Sequence, residues 1–193
     1  MTIKTILLCC IVSFLSSCIG EDLSECPPTV NLQLTFSYMG DTGDPSMFVR
    51  CIDQVTLMVY DENEKQVLNK EINKNELTIQ QGTELTLAPG NYTIICWGNT
   101  REYTQFYQCE SFAGGRLHHP DLFNENKVTT NSHLYYGSYE VIVSEQGTVS
   151  GDVPFRGAHI NVEVYIRGTV SADEPQVLPY IEAHNLMPQY RMD

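Results

Sequence analysis

The chain has 193 residues and a mass of 21.8 kDa, with 11 Lys+Arg against 24 Asp+Glu and a net charge of −13. A hydrophobic fraction of 42% with 18% charged residues excludes a disordered composition. The acidity, with no run of basic residues, excludes a nucleic-acid-binding surface and electrostatic adhesion to an anionic membrane.

Residues 1–17 read as a lipoprotein signal peptide. Lys4 supplies a short basic start, and residues 6–15 are nearly all apolar. That stretch is too short to cross about 30 Å of hydrocarbon as a helix but suits the apolar region of a signal peptide. It ends in Leu15-Ser16-Ser17-Cys18, which resembles the bacterial lipobox. Leu15, Ser16 and Ser17 let the signal peptidase approach the bond before Cys18, and the Cys18 thiol accepts diacylglycerol. The freed amine then takes a further acyl chain. Two or three chains hold a protein durably on a bilayer, where one does not. The other reading is an ordinary signal peptide with Cys18 as a plain thiol. Glu21-Asp22 resembles the surface-export signal of Bacteroidia lipoproteins, and residues 18–26 form an acidic tether. Nothing later is long and apolar enough for a transmembrane helix.

The rest reads as all-β. Val30, Leu32, Leu34, Phe36 and Tyr38 alternate with polar residues, the period of a half-buried strand. Residues 39–47 are a turn-rich loop. Residues 52–60 make a second strand, and Asp61-Glu62-Asn63-Glu64 turns it into a short strand at 66–69. Residues 77–87 hold one or two more strands about Gln81-Gly82. Ala88-Pro89-Gly90-Asn91 forms a tight turn in which Gly90 is expected to take a positive φ. Residues 92–97, apolar on both faces, predict a central strand with Trp97 as a core anchor. Residues 98–134 lack periodicity and read as a functional loop or short helices. Strands follow at 135–143, 147–153, 160–166 and 177–183. Short strands between turn signals predict a sandwich.

Catalytic and metal motifs are missing. There is no nucleophile elbow, P-loop, dinucleotide fingerprint or H-E-x-x-H. His118-His119 are neighbours that face opposite ways on a strand, and His133, His159 and His184 are isolated. Asp41 and Asp44 lack the spaced ligands of a calcium loop. No cofactor, metal or enzyme activity is expected beyond the covalent lipid on Cys18. After the signal peptide, Cys26, Cys51, Cys96 and Cys109 remain. They match no zinc spacing and allow three disulfide pairings between which the sequence does not choose.

Four segments in order resemble the FimB/Mfa-type fimbrium anchor lipoproteins of Bacteroidia. They are Asp22-Leu23-Ser24-Glu25-Cys26-Pro27; Met47-Phe48 leading into residues 55–61; residues 85–92 running into Cys96-Trp97-Gly98-Asn99; and Pro154-Phe155-Arg156-Gly157-Ala158. The resemblance implies transthyretin-like β-sandwich domains in series. It also implies attachment to the outer membrane and a role in anchoring or assembling a fimbrial polymer, without enzymatic chemistry. On that reading residues 27–153 are one sandwich, and 154–193 are the first strands of a second that stops short of the family's usual length. Fimbrial subunits are the expected partners, joined by β-strand addition at residues 98–134 or 159–183. The alternative is a surface lipoprotein that captures glycan or another nutrient on Trp97, Tyr103, Phe106 and Tyr107.

Overall fold

The structure is a computed structural model, and it describes residues 30–101, 103–121, 132–159 and 189–192. The expected lipobox, Cys26 and the strands at 160–166 and 177–183 lie outside these residues.

Two sheets face one another. One has the order β3 (Gln66–Ile72), β2 (Val55–Asp61), β5 (Gly90–Gly98), β8 (Tyr135–Val143). The other has the order β9 (Val149–Gly157), β1 (Leu32–Ser37), β4 (Gly82–Leu85). At one corner β8 and β9 pair through Tyr135–Gly157, Tyr136–Arg156 and Gly137–Phe155. The β1–β9 ladder is parallel and the other ladders are antiparallel. This is the all-β sandwich that the alternating strands predict.

The inward faces interlock. Leu32, Leu34 and Phe36 meet Val55, Leu57, Val59, Ile94, Cys96, Val141 and Val143 across the sandwich. Phe36, Phe48 and Phe155 form an aromatic cluster with ring centroids 5.6–6.0 Å apart. It locks the short helix α1 (Met47–Cys51) over the end of β1 and β9. Gly82 is required where β4 meets β1, because a Cβ there would overlap the Leu34 carbonyl.

The β2–β5 pair is buried on its outer face as well. Met58, Tyr60, Ile95 and Trp97 point away from the sandwich into a second cluster with Leu117, Leu134 and Met192. A small antiparallel sheet in the order β10 (Gln189–Arg191), β7 (Arg116–His118), β6 (Gln105–Tyr107) roofs this cluster. Burial on both faces explains why Ile94-Ile95-Cys96-Trp97 lacks alternation.

Three expectations are corrected. Residues 77–79, expected as strand, are instead the end of a helix (α2, Lys74–Ile79). Asn73 accepts from the Asn75 and Glu76 amides while the Glu76 carboxylate accepts from the Asn73 amide, a reciprocal cap that nucleates the helix. Of the 77–87 stretch, 82–85 forms a strand. Gly90 opens β5 without a positive φ; among the described residues the glycines with positive φ are Gly40, Gly43 and Gly147. The described residues of the 98–134 segment form the strands β6 and β7 rather than helices. It is held by backbone bonds such as Gln66 N–H to Glu110 O (2.9 Å) and Phe112 N–H to Glu64 O (2.9 Å).

β9 runs through the point at 153/154 where the sequence reading changes units. β10, in the second of those units, pairs with β7 of the first.

Candidate functional site

Leu15, Ser16, Ser17, Cys18 and Cys26 lie outside the described residues. Cys51, Cys96 and Cys109 are free thiols in three different settings. Cys51 ends α1 beside the Tyr38–Tyr135 ring pair, whose centroids are 4.9 Å apart. Cys109 sits under the small sheet, where the Tyr60 hydroxyl donates to its carbonyl at 3.0 Å. Cys96 lies inside the sandwich with no exposure. Burial pushes the Cys96 thiol well above its ordinary pKa, and burial also raises the Tyr60 phenol and the Cys109 thiol. Thiolate is the reactive form. Iodoacetamide at pH 8 is therefore expected to spare Cys96 in the folded protein and to label it in guanidinium. Peptide mass spectrometry checks this, and labelling of native Cys96 at the rate of Cys51 would contradict its placement.

The aromatic quartet of the glycan alternative does not form one platform. Trp97 is only 2% exposed, and its Nε1–H donates to Met192 Sδ at 3.2 Å. Tyr136 and Tyr190 pack on the indole with centroids at 5.0 and 5.8 Å. Phe106 packs into the second cluster, and Tyr103 stacks on His119 at 5.6 Å. Tyr107 alone of the four is exposed. Trp97 is thus the core anchor expected of it.

Among the histidines, the structure joins two that the sequence leaves apart. His133 and His159 stack at 4.7 Å, 26 positions apart in the chain, and His159 Nδ1 lies 2.9 Å from Leu134 O. The signal that could have placed them is the β8–β9 corner, which needs the sheet order first. Among the described residues no group of three or more His, Cys, Asp or Glu could hold a metal ion. Asp44 is engaged locally: it accepts from the Ser46 amide and hydroxyl, both at 2.9 Å, which lowers its carboxyl pKa. His119 is buried with Nε2 unpartnered, while its Nδ1 accepts from the Asp121 amide.

Two of the clefts among the described residues open on the sandwich. The larger, about 770 Å³, lies between the turn after β1 and the end of β9 and is lined by Tyr38, Asp41, Asp152, Arg156 and His159 among others. The smaller, about 420 Å³, lies on the outer face of β5 and β8. β3 and β4 end their sheets, and β8 is paired with β9 at only three positions. Unpaired sheet edges are where another chain's strand adds by main-chain hydrogen bonding. No described helix is long and apolar enough to cross a membrane.

Known proteins agree with this architecture. A candidate polysaccharide-binding protein from Bacteroides thetaiotaomicron has a similar structure, with a TM-score of 0.58 and 17% identity over 67% of this chain and 48% of that one. A candidate adhesin from Bacteroides ovatus gives 0.56 and 18% over 69% and 48%. The fimbrial anchor protein Mfa2 from Porphyromonas gingivalis gives 0.51 and 14% over 65% and 50%. At these identities the likeness is one of fold, and the aligned part of this chain spans about half the length of each solved structure. No curated protein sequence matches the chain. The family profile described as fimbrillin-A associated anchor proteins Mfa1 and Mfa2 matches residues 23–185. Over that span, most of its length, the chain belongs to the fimbrillin-A associated anchor protein family.

Proposed function

We propose that this chain is an outer-membrane lipoprotein, tethered through Cys18, that anchors or helps assemble a fimbrial polymer at the cell surface. The observation that carries the reading is the family match over residues 23–185, directly downstream of the Leu15-Ser16-Ser17-Cys18 lipobox. An anchor needs a lipid at one end and a strand-accepting edge at the other; it needs no catalytic group and no cofactor. Fimbrial subunits are the partners, joined by strand addition. The glycan-capturing alternative loses its platform with the burial of Trp97.

The test is Cys18→Ala in the native host, with fibres counted on cells and in the medium and accumulation checked by blotting. Fibres are expected to leave the cells and collect in the medium. Unchanged fibre attachment would overturn the anchor role.

A further inference from the structure

We propose that His119 and Thr104 hold one buried water molecule between them at the end of the small sheet. The site stands on local geometry and is independent of the anchor reading.

The β6–β7 ladder pairs Phe106 with Leu117 and ends at Gln105 and His118. Leu117 is fully buried, and Phe106 packs with it into the second cluster. Side chains alternate along a strand, so the next pair on this inner face is Thr104 and His119. His119 is 8% exposed, and the Tyr103 ring lies nearly parallel to its imidazole, with an interplanar angle of 7°. Its Nε2 and the Thr104 Oγ1 are both buried. Among the described residues neither atom has a hydrogen-bond partner.

Other buried polar groups of the chain satisfy one another. Gln54 Nε2 donates to Thr56 Oγ1 at 2.7 Å, the Thr56 and Thr100 hydroxyls lie 2.8 Å apart, and Thr100 Oγ1 donates to Gln54 Oε1 at 3.2 Å. That ring closes on itself. Thr104 and His119 face each other across the ladder without a direct bond. Leaving such atoms unpaired is costly, and buried polar atoms are as a rule bonded to protein or to ordered water.

The chemistry of the occupant follows from the ring. His119 Nδ1 accepts from the Asp121 amide at 3.1 Å, so the neutral imidazole carries its proton on Nε2. Nε2 therefore needs an acceptor, while the Thr104 hydroxyl both donates and accepts. A metal cation would meet a proton on Nε2, and no group of three or more His, Cys, Asp or Glu among the described residues could hold one. An anion would sit across the ring from the Asp121 carboxylate, which lies 3.8 Å from Nδ1. Water is neutral, accepts from Nε2–H and exchanges a hydrogen bond with Thr104, which meets the need of a buried water for two or more polar partners.

The experiment is a high-resolution crystal structure of the full chain and of its Thr104→Ser and Thr104→Val variants, with amide exchange and guanidinium unfolding in solution. One oxygen is expected at about 2.7–3.2 Å from both atoms in the parent and in Thr104→Ser. Thr104→Val should lose it and speed amide exchange in residues 116–118 about tenfold, while Thr104→Ser keeps the parent rate. In unfolding, Thr104→Val with His119→Phe should cost less than the sum of the two single changes, because both remove partners of the same water. A direct His119–Thr104 bond, a protein group on either atom, a dry gap between them, or additive losses would each overturn the proposal.

Discussion

Trp97→Ala is expected to lower the unfolding free energy by about 3–5 kcal/mol, the usual cost of emptying a large aromatic site. The residue is 2% exposed and ties β10, which lies outside the sandwich core, to β5 and β8. Its ring meets Tyr136 of β8 and Tyr190 of β10, and its indole N–H donates to Met192 Sδ. Removing it leaves Met192 facing a cavity and β10 held mainly by its short ladder to β7. Two readouts should move together. The guanidinium midpoint falls, and tryptic cleavage after Arg191 accelerates. Tyr107→Ala, at an exposed site on β6, should stay within about 0.5 kcal/mol of the parent. A Trp97→Ala protein with the parent's midpoint and cleavage rate would show that the small sheet does not depend on the indole.

Phe36→Ala is expected to cost a similar 3–5 kcal/mol by a different route. Phe36 is 1% exposed and packs on Phe48 and Phe155 at 6.0 and 5.7 Å. Such aromatic pairs add about 0.5–1.5 kcal/mol each beyond their buried area. Against a typical total of roughly 5–15 kcal/mol this is a large loss. α1 has five residues, too few for independent stability, and Phe48 is its buried residue. Losing Phe36 should loosen the helix first. Cys51, the last residue of α1, reports this: its alkylation rate should rise while Cys96 stays protected until global unfolding. Equal rates in parent and variant would show that the helix is held by something other than the aromatic cluster.

Much of the sandwich was legible because one face of each strand is wet. β1 declares itself through Leu32, Leu34 and Phe36 against Gln33 and Thr35. β5 was legible for the opposite reason, since only a strand covered on both sides tolerates Ile94-Ile95-Cys96-Trp97. Two segments were not. At 74–79 the apolar residues Leu77 and Ile79 look like strand spacing, and the local cap between Asn73 and Glu76 decides for helix. At 105–118 the strands have three residues each, too few to show a period, and the second partner of β7, β10, is distant in sequence. The corner was hidden altogether: the β8–β9 ladder is confined to Tyr135, Tyr136 and Gly137, and nothing in either strand's sequence marks where it stops. For a partner surface the sequence pointed to 98–134 or 159–183; the described strands of the first serve as the roof over Trp97, and residues 160–183 lie outside the described residues.

The parallel β1–β9 ladder also sets an order of events. Thr35 hydrogen-bonds Asp152, 117 residues away, and nothing nearer in the chain can take that place beside β1. Local hairpins such as β2–β3 can form as soon as they emerge. The second sheet has to wait for residues 149–157, and closing so long a loop is entropically slow. Until then Leu32, Leu34 and Phe36 remain uncovered on one side. The domain thus has a built-in delay: its first strand, paired early on one side with β4, gains its second neighbour only when β9 arrives.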